Sequence, residues 1–138
     1  MPIPDKIFSN DINVRIDDIN YGNHLGHIEF ISLIHNTRAL FLKKYGLSEL
    51  DCFGCSLVML ELDIKYSSQC FFDDKLEISL SISEMEKASA LFSYIVYNHT
   101  SNKIAAKATT LMGFMDAQKE KLRKIPVEFI ELINKIKK

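Results

Sequence analysis

The stretch GHIEFISLIHNTRALFLKKY, residues 26–45, decides the fold. Its apolar residues recur at helical spacing. Phe30, Ile34, Phe41 and Tyr45 form one stripe, and Ile28, Ile31, His35, Arg38 and Leu42 form an adjacent one. Leu33 and Leu40 widen the apolar surface, so little of the circumference stays polar and the helix needs other elements wrapped around it. Gly46 stands where such a helix is expected to stop.

Beyond this helix the period changes from 3.6 to 2. Val58, Leu60, Leu62, Ile64 and Tyr66 alternate with Glu61, Asp63 and Lys65, and Leu76, Ile78, Leu80 and Ile82 alternate with Glu77, Ser79, Ser81 and Ser83. Residues 89–99 and 103–115 read as two more strands joined by the polar turn NHTSNK. Ahead of the helix, IFSNDINVRI (7–16) is expected to form a first strand. DAQKEKLRK (116–124) is expected to be a solvated charged connector, after which Pro126 opens a short last helix reaching Ile136. The order is β-α-β-β-β-β plus a C-terminal helix. That is an α+β fold in which a curved, antiparallel five-stranded sheet wraps a long central helix.

A chain of 138 residues is expected to form a single domain, 1–138. Lys and Arg number 17 against 18 Asp and Glu, which argues against a nucleic-acid binder that works by neutralising phosphates. No apolar run approaches the ~20 residues of a membrane span. The opening MPIPDKIFSN lacks a basic region followed by an apolar one, so a cytoplasmic protein without a leader is expected. The odd count of 3 cysteines fits a reducing compartment. CFGC (52–55) has redox spacing, but it falls in a helix-to-strand loop rather than at a helix start, and it has no second ligand pair for zinc.

Between the first strand and the helix lies DDINYGNHLGH (17–27), with more polar chemistry than a connector needs. Asp17 and Asn23 suit turns or a helix cap. Asn20 and His24 are not both required for that purpose. The two histidines lack the helical spacing of a metal pair, so neither a metal nor a cofactor is expected.

Element order and motif together resemble the hotdog-fold thioesterases of the 4-hydroxybenzoyl-CoA thioesterase-like group. In that family an Arg ends the first strand, and an Asp-x-Asp, a Gly-His and a helix bearing Arg and a closing Gly-Leu follow. Arg15, Asp18, His24, Arg38, Gly46 and Leu47 fall in register with these. DIKYSSQCFFDDKLEISLSI and AAKATTLMGFMD are similar to later strands of the family. The resemblance implies a homodimer, or a tetramer built from dimers, with an apolar slot for substrate between subunits. It also implies hydrolysis of an acyl-CoA, or of an acyl-carrier-protein thioester, to the free acid. One departure is central: the family's second Asp, in many members the catalytic carboxylate, falls at Asn20. An amide is not basic at neutral pH, so it cannot deprotonate water. Related acyl-carrier-protein thioesterases carry Asp-x-Asn followed by His, which DIN and His24 resemble.

The expected mechanism therefore has Asn20 orienting water or the thioester carbonyl, His24 as general base and Asp18 setting its tautomer. His35, about two helical turns beyond the helix start, is the alternative base, placed to reach the partner's loop in a two-fold dimer. Free N–H groups around Gly26, His27 and Ile28, at the positive end of the helix dipole, are expected to hold the oxyanion. Gly22 and Gly26 would let the backbone approach a ligand. Lys65, Lys107 and Arg38 are cations within reach of consideration for CoA phosphates, and none is assigned that role. The competing function is a non-catalytic module that binds acyl thioesters. Hydratase chemistry on the same fold is a third.

Overall fold

The computed structural model describes residues 5–137, so the opening MPIP and the final residue of the expected 1–138 domain lie outside the described residues. In chain order the elements are β1 (Phe8–Asn13), a one-turn 3-10 helix (Ile16–Asp18), α1 (His27–Lys44), β2 (Ser56–Tyr66), β3 (Lys75–Glu86), β4 (Ser89–Asn98), β5 (Lys103–Asp116), β6 (Lys121–Leu122) and α2 (Val127–Lys137). The α+β architecture is the expected one, an antiparallel sheet curled against a long helix.

The fold begins with α1. Glu29 in its first turn and Lys43 and Lys44 in its last complement the helix dipole. Gly46, at φ +74°, ends it: Leu47 N–H donates to Leu42 O (2.9 Å) and Gly46 N–H to Lys43 O (3.0 Å), a Schellman stop that only a left-handed residue permits. Phe30, Leu33, Ile34, Phe41 and Leu42 are buried against the sheet. Ile28, His35 and Leu40 are exposed, so one chain grips α1 on one side only.

The strands run β1-β3-β4-β5-β2, all antiparallel, and β6 pairs with β5. Alternation places Ala90, Phe92, Tyr94 and Val96 of β4 and Ala106, Ala108, Thr110 and Met112 of β5 on one buried face. α2 closes one end of this core: its Phe129 stacks on Phe92 (centroids 6.4 Å) and meets Phe114 edge-on (5.0 Å). β2 lies at the end of the sheet, with Met59, Leu60, Leu62 and Tyr66 exposed.

Two expectations are corrected. β1 stops at Asn13, not Ile16, because Arg15 N–H donates to Asp18 Oδ2 (2.8 Å) and Asp18 N–H to Arg15 O (3.0 Å), which coils the chain into the 3-10 turn. The charged connector is not merely solvated: β6 pairs Leu122 with Met115, and its side chain packs over Gly113. Cys52 and Cys55 do lie in a loop. They exchange backbone bonds (2.7 and 3.1 Å) across a tight turn at Phe53 and Gly54, both at positive φ, and their thiols are free and buried. No helix among the described residues is long and apolar enough to cross a membrane.

Candidate active site

Residues 19–25 fold back on themselves through a bridge between Ile19 and Leu25. Asn20 N–H donates to His24 O (3.0 Å) and Asn23 N–H to Asn20 O (3.0 Å), with Asn23 at φ 65°. These local bonds set Asn20 and His24 side by side. A second loop holds the first: Leu25 N–H donates to Cys70 O (2.8 Å) and Asp73 N–H to Val14 O (2.8 Å). The segment that crosses from β2 to β3 thus pins the polar loop against the start of α1.

A pocket of about 340 Å³ opens at this junction. Asn20, His24 and His27 are among its polar lining, Leu25, Phe30 and Tyr66 its apolar lining, and Ser67 to Gln69 complete it. Phe30 and Tyr66 meet edge-on at 5.3 Å. The Tyr66 hydroxyl donates to His27 O (3.1 Å), tying the end of β2 to the first turn of α1, and burial pushes its pKa up.

Asn20 Oδ1 accepts from Gly22 N–H (2.9 Å), which leaves the Nδ2 edge turned the other way. The His24 imidazole bonds through Nδ1 to Leu25 O (3.2 Å), so Nδ1 carries a proton, and in the neutral ring Nε2 is the free acceptor. The N–H groups of His27 and Ile28 have no acceptor among the described residues, as the first turn of a helix requires. A proton acceptor, an amide donor and the free N–H of His27 at a positive helix end therefore gather around one pocket, a set able to activate water and stabilise an oxyanion.

Several expected roles are corrected. Asp18 is buried and does not set the tautomer of His24. Its carboxylate takes Arg15 instead, through Nε (3.4 Å) and Nη2 (3.2 Å), and this bond raises the Arg15 pKa. Within one chain His35 does not line the pocket and bonds Glu49 Oε1 instead (2.6 Å). Glu49 Oε2 in turn receives Arg38 Nε (3.1 Å), and Arg38 Nη1 donates to Tyr94 OH (3.2 Å), which is shared with Thr110 Oγ1 (2.8 Å). Arg38 is thus committed to the core and is not free for a phosphate. Lys65 and Lys107 are register partners on strands β2 and β5, away from the pocket lining.

Gly26 is part of the site but offers substrate neither a free N–H nor an open face. Its N–H donates to Asp18 O (3.3 Å), and a methyl group in place of its hydrogen would collide with Glu29 Oε1. Gly22 is likewise covered, by His24 Nε2 and Asn20 Oδ1. The Ile28 side chain is exposed and does not line the pocket. Reading the sequence missed Phe30, Tyr66 and Glu29. The first two carry no signal beyond their helix and strand periods, whereas Glu29 could have been noticed as an acidic residue at the third helical position. Among the described residues, no group of three or more His, Cys, Asp or Glu could hold a metal ion.

Residues 14–133 match the family model described as Thioesterase-like superfamily. The acyl-CoA thioester hydrolase YbgC of Escherichia coli O157:H7 is 23% identical over 126 residues, which is 90% of this chain and 93% of that protein. Among solved structures, the chain is similar to Slr0204, a 1,4-dihydroxy-2-naphthoyl-CoA thioesterase from Synechocystis. The TM-score is 0.83 at 17% identity, over 92% of this chain and 95% of that one. It is also similar to SAV2348 from Staphylococcus aureus in complex with CoA, with TM-score 0.85 at 17% identity, over 94% and 83% of the two chains. At these identities the structural matches establish the fold.

Proposed function

This chain belongs to the thioesterase-like superfamily and is a thioester hydrolase, and from that premise we propose that its substrate is an acyl-CoA, split to the free acid and CoA. The observation that carries this reading is the gathering of Asn20, His24 and His27, whose N–H has no acceptor among the described residues, on one pocket with an apolar wall. Water attacks the thioester carbon while His24 Nε2 takes its proton. Asn20 Nδ2–H holds the carbonyl in place, and the His27 N–H at the positive helix end receives the oxyanion. Collapse breaks the C–S bond, and the imidazolium returns the proton to the departing thiolate. Leu25, Phe30 and Tyr66 shelter the acyl group.

The slot for the pantetheine arm is completed by a second copy, in a homodimer or a tetramer built from dimers. The support for this is the position of the pocket at the end of β2, the terminal strand whose Met59, Leu60 and Leu62 are exposed. Three free, buried cysteines suit a cytoplasmic protein.

The second reading, a non-catalytic module that binds acyl thioesters, is favoured by a single observation, the amide at position 20 where a carboxylate would be the direct base. Thiol release from short, medium, long and aromatic acyl-CoAs separates the two. Release that disappears in His24→Ala supports hydrolysis; tight binding with no release across the panel selects the binding module.

A further inference from the structure

Asn20 Oδ1 is fixed by Gly22 N–H, and on this side the His24 ring approaches: Nε2 and Oδ1 both lie within 3.2 Å of a point over the Gly22 Cα. The other edge of the same amide faces Gly26. There Asn20 Nδ2 lies 3.4 Å from the point where a Gly26 methyl carbon would stand, and Glu29 Oε1 overlaps that point, with Cδ at 3.2 Å. The Glu29 side chain thus curls back over the helix start into space open only because residue 26 has no side chain. Among the described residues its carboxylate has neither an ion pair nor a hydrogen bond, although Arg15, Arg38 and Lys6 all pair with other acids. Glu29 is not a wall of the pocket, and the polar side chain that shares the space over Gly26 with it is Asn20.

We propose that Glu29 is a positioning residue that sets the orientation of the Asn20 amide, placing on α1 the negative charge that the loop lacks at position 20. This rests on the hydrolytic reading above. A carboxylate beside the Nδ2 edge attracts the amide N–H and repels the carbonyl oxygen, so the flipped amide is excluded and Nδ2–H is the edge presented to substrate. A second carboxylate at position 20 would face Glu29 as a like charge. One carboxylate fits around Gly26 and two do not. The glycine has a definite part in this. Its backbone, at φ −74° and ψ 159°, is open to any residue, and a methyl group would displace only the flexible end of Glu29.

The test is kinetic and spectroscopic on the full chain. Glu29→Gln keeps the shape and removes the charge; kcat is expected to fall about tenfold with KM within about twofold. Gly26→Ala is expected to give the same loss, and the double variant no further loss, because both remove the carboxylate from the space over Gly26 beside Asn20. Asn20→Asp alone is expected to be poor, whereas Asn20→Asp with Glu29→Gln recovers activity. Equal activity of those two, or an unchanged kcat in Glu29→Gln, overturns the proposal. An arm independent of turnover follows the carboxamide protons of Asn20 by nuclear Overhauser contacts. They should reach Gly26 Hα in the wild type and also the Gly22 amide in Glu29→Gln; identical contacts in both proteins overturn the proposal. Wild-type protein that releases no thiol would remove the hydrolytic reading, and the spectroscopic arm would still decide the one made here.

Discussion

At the scale of single residues, the site separates two histidines of the same chain. His24 lines the pocket with Nδ1 tied back to Leu25 O, whereas His35 spends Nε2 on Glu49. His24→Ala is therefore expected to lower kcat by at least a hundredfold, the usual worth of a general base, and His35→Ala by less than about twofold. Steady-state thiol release checks both. Loss of less than tenfold in His24→Ala would remove it as the base. That Asn20 and His24 share one polar loop was legible in the sequence, where capping does not require both. The partner of Asp18 was not, since any polar neighbour could have claimed that carboxylate and Arg15, three residues away, did so through the coil of the chain. The fate of His35 was hidden for a different reason: its partner comes from the loop after α1.

At the scale of elements, periodicity located α1 and the four long strands to within a few residues, but alternation does not say which strands are neighbours. β2 reaches across to β5 rather than pairing with β3, and that crossing carries Tyr66 to Gln69 onto the rim of the pocket. Half of the pocket was illegible for that reason. The two-residue β6 is too short for any period to reveal. Arg38 is the polar joint between α1, the loop after it and the sheet, bonded to Glu49 and Tyr94 while only 3% exposed. Arg38→Ala strips a charge partner from Glu49 and a donor from Tyr94, and is expected to cost about 2–3 kcal/mol. Urea denaturation measures it through a lower midpoint at unchanged slope.

At the scale of the whole molecule, the apolar edge strand β2 ends at Tyr66, a wall of the pocket. Leu62 is part of that edge, and Leu62→Lys is expected to hold the protein at the 15.8 kDa mass of one chain where the wild type runs at a multiple of it, with thiol release falling alongside. Light scattering after size-exclusion chromatography reads the mass directly; a wild type already at one chain's mass would end the shared-slot model. The three cysteines have a practical consequence for every such experiment. All are enclosed, and loss of hydration pushes Cys52 up to about 12 and Cys70 up to about 11, with Cys55 also raised. A chromogenic disulfide reagent at mildly alkaline pH therefore meets almost no protein sulfur as long as the chain is folded, so its colour counts liberated coenzyme alone. A sudden gain of three reactive groups per chain marks instead the moment the core opens.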